Sequence, residues 1–305
     1  MNTCILLSTC DKYVPLAELT VDLLGQRWEN HPPIFVCGVS FDFTSKAKVL
    51  NLSSNPRNWI EITGVAVDDL LKLGYRKCYL ILEDHPPLAI CNQMHLNETL
   101  PALMDRLGAA YIGLYGWDQG TLSAGKVLTG GYHRLQRQED SFLWRFSLHP
   151  ALWDLEALRD MIAAMPMLGD DIAKQSVWAF ERRSGTIHNN EVLSPHWQGV
   201  SYRIFGVGML AGKFRLVRAL GRRLYFYFLN ATLLLVRKLF GTNVQEKLSD
   251  AALPDGLFFD GPYPLYWSGV MQKGSLNKNF ERFLLRHNRT GELDVFRRVI
   301  DSFRS

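Results

Sequence analysis

Apolar and polar positions over the first 165 residues alternate in blocks that predict strands and helices in turn. Residues 3 to 9 (TCILLST) predict a buried strand, followed by a loop at Asp11-Lys12-Tyr13 and by Leu16, Leu19, Leu23 and Leu24 at helical spacing. Pro32-Pro33 punctuates the chain before a second apolar run, Ile34 to Gly38, and Trp59-Ile60-Glu61-Ile62 alternates like a short third strand. Val67 to Leu73 predicts a helix with Asp68 and Asp69 in its first turn, where the helix dipole favours acids. After Gly74, Lys77 to Leu82 reads as the apolar kind of strand that sits at the centre of a sheet covered on both faces, and it ends in Glu83-Asp84-His85-Pro86-Pro87.

Further on, residues 96 to 107 predict a helix, Tyr111 to Tyr115 and Leu143 to Ser147 predict strands, and Leu152 to Met165 predicts a helix with its acids placed early. This alternation predicts an α/β fold with a doubly wound, mostly parallel, Rossmann-like sheet. There is no internal repeat and no low-complexity tract.

A chain of 305 residues with 47% apolar content can bury a core, in one large α/β domain or a domain with a small subdomain. Its five cysteines, Cys4, Cys10, Cys37, Cys78 and Cys91, are odd in number and contain no C-x-x-C pair, so they read as reduced core thiols. The N-terminal residues have no basic region and only a short apolar run, which does not read as a secretory signal and predicts a cytoplasmic location. The sequons at Asn97, Asn230 and Asn288 then carry no glycosylation meaning.

The net charge of +4 conceals an asymmetry, because between Glu191 and Glu246 there is no acidic residue. Arg203, Lys213, Arg215, Arg218, Arg222, Arg223, Arg237 and Lys238 make that stretch a separate electrostatic object. Within it, Leu224 to Val236 is a charge-free run of 13, shorter than the ~20 residues a spanning helix needs. Flanking arginines and abundant aromatic residues suit helices lying in the headgroup layer of an anionic membrane. Phe214, Val217, Leu220 and Leu224 share one helical face, with Arg215, Arg218 and Arg222 on an adjacent one. Arg223, Phe226, Phe228, Arg237 and Lys238 complete the predicted membrane set, and residues 201–249 form the predicted membrane segment between two parts of one catalytic domain, 1–200 and 250–305. The other reading is a buried core helix with solvated basic ends. Nucleic acid is not the expected partner, because the positive charges are interleaved with long apolar runs and belong to no recognisable binding module.

Ligands of open α/β sheets bind beyond the carboxyl ends of the strands, so the acids there are the first candidates for chemistry. Glu83, Asp84 and His85 occupy such an end, and this set suits Mg²⁺ or Mn²⁺ clamping a diphosphate; the alternative is that Asp84 begins a turn and His85 is an exposed loop residue. Asp11 follows the first strand at the same end, suited to a base or ribose or else to an Asx-turn. Asp170-Asp171 and Trp178-Ala179-Phe180-Glu181 lie past the helix at 152–165, with Asp171 and Glu181 as the catalytic candidates. A glutamate among aromatics can act as a general base, or it can pair with Arg182, Arg183 or nearby backbone. No G-x-G-x-x-G follows the first strand and no P-loop is present, which disfavours a classical dinucleotide fold and a P-loop kinase.

Ser8-Thr9-Cys10-Asp11-Lys12-Tyr13, Tyr79-Leu80-Ile81-Leu82-Glu83-Asp84, Ser147-Leu148-His149-Pro150-Ala151-Leu152-Trp153, Trp178-Ala179-Phe180-Glu181 and Gln272-Lys273-Gly274 together resemble bacterial GT-A-type glycosyltransferases of surface-polysaccharide assembly. The resemblance covers residues 3 to 185 and 262 to 288, with E-D-H standing where the family has D-x-D. It implies a nucleotide-sugar donor held by Thr9, Asp11, Glu83, Asp84 and Lys273, with Asp11 toward the nucleoside and Lys273 neutralising phosphate. It further implies Glu83 and Asp84 facing metal and diphosphate and Glu181 as base near the acceptor; Asp84 and His85 are the candidate Mg²⁺ or Mn²⁺ ligands, and the membrane segment suits a membrane-borne or lipid-linked glycan acceptor at the inner face of the cell membrane. The Gly-rich N-terminal signature of a sugar nucleotidyltransferase is absent. The competing function is a membrane-bound binding or scaffold protein with a degenerate transferase fold.

Overall fold

The computed structural model describes residues 2–38, 43, 47–52, 59–114, 127–129, 134–137, 146–165, 177–183, 191–195, 202–204, 228, 231–233, 235–241, 244, 247–248, 257–259, 261–266 and 268–304. Among them, nine strands form one sheet in the order β3-β2-β1-β4-β8-β5-β9-β7-β6. The strands are β1 (Thr3–Ser8), β2 (Ile34–Gly38), β3 (Lys48–Leu52), β4 (Lys77–Leu82), β5 (Ala109–Gly113), β6 (Val127–Thr129), β7 (Arg134–Arg137), β8 (Ala151–Asp154) and β9 (Glu191–Pro195). β3, β2, β1 and β4 run parallel, and β8 lies antiparallel between β4 and β5. β9 is parallel to β5, and β7 and then β6 continue in antiparallel pairs. Only β8 and β7 therefore oppose the common direction, which matches the mostly parallel sheet predicted from sequence.

Strand side chains alternate between two cores, as a period of two requires. Ile5, Leu7, Val36, Tyr79 and Ile81 face one layer, built from α1 (Val14–Arg27) and α3 (Leu100–Leu107) through Ala17, Val21, Leu24, Leu103 and Met104. Cys4, Leu6, Phe35, Cys78 and Leu80 face the other, built from α2 (Trp59–Lys72) and α4 (Leu155–Ala164) through Ala66, Leu70, Leu158 and Met161. Helices on both faces explain why β1 and β2 are buried at every position. Four cysteines are buried in these cores, Cys10 is partly buried, and all five are free thiols, as expected.

Three assignments differ from the sequence reading. Trp59 to Ile62 is the first turn of α2, because its buried residues Ile60, Thr63, Val67 and Leu70 recur at helical spacing and override a four-residue alternation. Asp68 and Asp69 consequently lie in the C-terminal half of that helix. The predicted helix at 152–165 begins instead as β8, and Asp154 ends the strand by capping α4, its side chain accepting from the Ala157 N–H at 2.9 Å. Phe146 and Ser147, assigned from sequence to a strand, lie in no strand; residues 143–145 of that run fall outside the described residues.

A third layer comes from the C-terminal part of the chain. α6 (Lys278–Arg286) and α7 (Thr290–Asp301) pack Phe280, Phe283, Leu293 and Phe296 around Leu16 and Leu23 of α1. A small sheet joins β10 (Tyr202–Ile204), β11 (Leu257–Phe259) and β12 (Leu265–Tyr266), so residues 202–204, assigned from sequence to the membrane segment, pair with the C-terminal part of the domain. β13 (Met271–Gln272) and β14 (Ser275–Leu276) form a hairpin whose two turn residues, Lys273 and Gly274, have φ of 51° and 74°. Positive φ at both central residues is the turn that matches strand twist, and only glycine adopts it without strain.

Candidate active site

The order β3-β2-β1-β4 places a topological switch point between β1 and β4, from which the chain continues toward opposite edges of the sheet, to β2 and to β5. Their registers end together at Ser8 opposite Leu82. The segments that follow, Thr9 to Tyr13 and Glu83 to His85, therefore emerge side by side at the mouth of that crevice. Thr9 is buried and its N–H donates to the Cys37 carbonyl at 3.0 Å, while Asp11 and Lys12 are exposed in a short 3-10 turn.

The C-terminal layer closes against this mouth. Val270 N–H donates to the Asp84 carbonyl at 2.9 Å, and Tyr263 Oη donates to the His85 carbonyl at 2.9 Å. Gly269 has φ of 73°, and a Cβ there would meet Asp84 Oδ2 at 2.5 Å, so no side chain fits between that loop and the carboxylate. A Cβ on Gly274 would lie 3.7 Å from Lys12 Nζ, which puts the hairpin tip carrying Lys273 beside the turn after β1. Four of the five donor-binding candidates, Thr9, Asp11, Glu83 and Asp84, thus flank the switch point, and the fifth, Lys273, approaches from the opposite wall.

Asp84 Oδ1 and His85 Nδ1 lie 2.7 Å apart, an ion-pair distance. Burial alone would raise the Asp84 carboxyl, but the charge of the adjacent His85 imidazole offsets it, and the carboxyl lies below its ordinary value. Glu83 goes the other way: burial, and then the charge of Asp84, raise it to about 8. Two adjacent carboxyls are thereby held apart, one ionised and one neutral at pH 7. The raised group makes stability pH-dependent. Below its ordinary value of 4.5 Glu83 is protonated folded or unfolded; between 4.5 and about 8 only the unfolded chain releases the proton, so stability falls as pH rises through that window. Glu83→Gln should flatten this fall, and melting curves of both proteins from pH 5 to 9 should show the variant's relative Tm rising with pH.

His85 is buried, in contrast to the exposed loop residue considered from sequence, and its ring meets that of His149 edge-on at 4.9 Å. His149 arrives there because β8 runs antiparallel to β4, with Ala151 opposite Leu80, so the residues just before β8 sit beside those just after β4. Among the described residues there is no group of three or more His, Cys, Asp and Glu side chains placed to hold a metal ion. With His85 Nδ1 2.7 Å from its Oδ1, Asp84 is the hard oxygen ligand of the pair.

Glu181 lies on α5 (Val177–Arg183) and is 8% exposed, beside Phe180, which packs against Trp59 and Trp153. Its Oε1 accepts from the Leu148 N–H at 2.8 Å and from the Ser147 hydroxyl at 3.1 Å. The carboxylate is thus fastened to the segment before β8. Asp171 and nine of the membrane candidates, Phe214, Arg215, Val217, Arg218, Leu220, Arg222, Arg223, Leu224 and Phe226, fall outside the described residues. Phe228, Arg237 and Lys238 are exposed. The sequence gives no individual role to Lys12, Gly269, Ser147 or His149, although Lys12, Ser147 and His149 lie within segments that carry the family resemblance.

Fold and crevice together define a doubly wound α/β protein with an acidic pair at its switch point. No family model and no curated protein matches the chain. Among solved structures it is similar to mannose-1-phosphate geranyltransferase from Thermus thermophilus, at 13% identity over 64% of this chain and 74% of that one, with a TM-score of 0.37. It is also similar to residues 1–349 of S. aureus TarS, at 12% identity over 100% of this chain and 91% of that one, with a TM-score of 0.34.

Proposed function

We propose that the chain is a nucleotide-sugar-dependent glycosyltransferase that acts at the cytoplasmic face of the membrane on a membrane-borne or lipid-linked glycan. The observation that carries this reading is the convergence at the β1/β4 switch point of Thr9, Asp11, Glu83 and Asp84 with the hairpin tip beside Lys12. An ionised Asp84 repels a bare diphosphate, so the two are compatible through a shared cation or through Asp84 accepting from sugar hydroxyls. Mg²⁺ or Mn²⁺ would be held there by Asp84 and the substrate's phosphates, the arrangement typical of Mg²⁺, and would stabilise the departing diphosphate. Lys12, with the hairpin tip that carries Lys273 beside it, would supply positive charge.

The membrane part of the reading draws on the basic stretch together with exposed apolar residues in it. Leu235 and Leu239, four apart in helical backbone, are 56% and 62% exposed, and Phe240 is 66% exposed, with Arg237 and Lys238 between them. Among the described residues no helix is long and apolar enough to cross a membrane. An enzyme held on the surface in this way meets a lipid-linked acceptor at high local concentration.

Thermal denaturation against a panel of nucleotides and nucleotide sugars, with and without Mg²⁺, tests the donor site. The matching donor at 100 times its Kd should add about 2.7 kcal/mol of stability. A flat response to the whole panel would remove the transferase reading.

A further inference from the structure

Resting on that reading, we propose that His149 is the proton acceptor of the site, acting through Nε2, and that Ser147 and Glu181 are positioning residues that fix its tautomer.

The argument is a count of protons. Ser147 Oγ lies 2.7 Å from His149 Nδ1 and 3.1 Å from Glu181 Oε1, and it also accepts the His149 backbone N–H at 3.3 Å. A hydroxyl has one proton to give and two lone pairs. Ser147 gives that proton to Glu181, so toward His149 it can only accept. The Nδ1 of a neutral His149 must then carry the hydrogen, and its lone pair resides on Nε2. Glu181 itself is held by the Leu148 N–H at 2.8 Å, within the aromatic packing of Phe180, Trp59 and Trp153. Glutamate, serine and histidine thus form a chain in which each member orients the next, as in a nucleophile-base-orienter set, here ending on the imidazole.

The imidazole stands where the transfer would occur. His149 is partly exposed and packs against the His85 ring at 4.9 Å, and His85 in turn lies 2.7 Å from Asp84. Charged groups around it include Asp84 and His85 from the segment after β4, and Glu181 from α5 through Ser147. Glu181 is buried and held by Leu148 and Ser147, whereas His149 is partly exposed and reaches Asp84 through the His85 ring. In the step, Nε2 takes the proton of the acceptor hydroxyl while that oxygen bonds to the anomeric carbon. The bond from the anomeric carbon to the diphosphate oxygen breaks, the diphosphate leaves with the electron pair, and the imidazolium later returns its proton to water.

Two measurements test this. Histidine-labelled protein should show His149 as the Nδ1–H tautomer in ¹⁵N–¹H correlation spectra, and Ser147→Ala should move it toward Nε2–H while Ser147→Thr does not. An Nε2–H tautomer in the unsubstituted protein would overturn the proposal without touching donor binding. In turnover assays His149→Gln should lose about 10²- to 10⁴-fold in kcat, with the donor Kd unchanged within about threefold, and added imidazole should restore part of the turnover of His149→Ala. Wild-type kcat in His149→Gln would remove the proton role and leave the transferase reading standing. Failure of the unsubstituted protein to bind any nucleotide sugar would remove both.

Discussion

Asp84→Ala should abolish sugar transfer, and Asp84→Asn should come close to doing so while leaving the protein almost as stable as before. Asp84 Oδ1 lies 2.7 Å from His85 Nδ1, and an asparagine oxygen can occupy the same place beside the imidazole. The alanine variant removes the buried oxygen that faces the imidazole, and leaving a buried polar group without a partner costs about 1–3 kcal/mol. The asparagine variant removes only the charge. The loop that presses on this carboxylate is attached by the Asp84 backbone carbonyl, which accepts from Val270 N–H, so neither substitution cuts that link. The charge itself is held in place against burial by His85, and groups that stabilise charge in a transition state are commonly worth ~10²- to 10³-fold in kcat. Turnover at saturating donor, read beside thermal melts, separates the two effects. An asparagine variant with wild-type turnover would show that Asp84 serves only to hold His85.

The parts of this site that are legible in the sequence are those fixed by local pattern. Continuous apolar runs locate β1 and β4, and the rule that ligands bind at strand ends then points to Thr9 to Asp11 and Glu83 to His85 without any structure. Lys273-Gly274 stands out as a motif, but its meaning lies in two positive φ values and in the approach of that turn to Lys12. His149 is not legible as a site residue because its position depends on a nonlocal register: β8 pairs antiparallel with β4 across some 70 residues of chain. Glu181 is legible as a carboxylate among aromatics, but the direction it faces is not. Its contact with Leu148 and Ser147 requires α5 to pack against the segment before β8, a tertiary fact. The error at Trp59 to Ile62 has a different cause, since four alternating residues fit both periods and only the longer row through Leu70 decides between them.

Replacing Leu235, Leu239 and Phe240 together with serine should detach the protein from anionic vesicles while barely changing its melting temperature. These side chains are 56%, 62% and 66% exposed, so the folded domain gains little from them. Three exposed changes typically alter stability by a few tenths of a kcal/mol each. At a bilayer the balance differs. Fully burying a leucine or phenylalanine is worth about 1.5–3 kcal/mol, so even half-inserted the three contribute about 2–4 kcal/mol, or roughly 30- to 1000-fold in partitioning. Arg237 and Lys238, exposed beside them, add about 1 kcal/mol each on an anionic surface, and that share should fade as salt screens it. Leu233 supplies the contrast. It is 4% exposed and belongs to the core cluster of β1 and β4, so Leu233→Ala should cost about 2–5 kcal/mol of stability and should loosen this segment's attachment to the domain. Vesicle sedimentation across anionic and neutral lipids, with melts of the same proteins, reads both quantities at once. If the serine triple binds anionic vesicles as well as the unsubstituted chain does, these three residues do not insert; if it melts several degrees lower, they are packed in the domain and the helix belongs to its core.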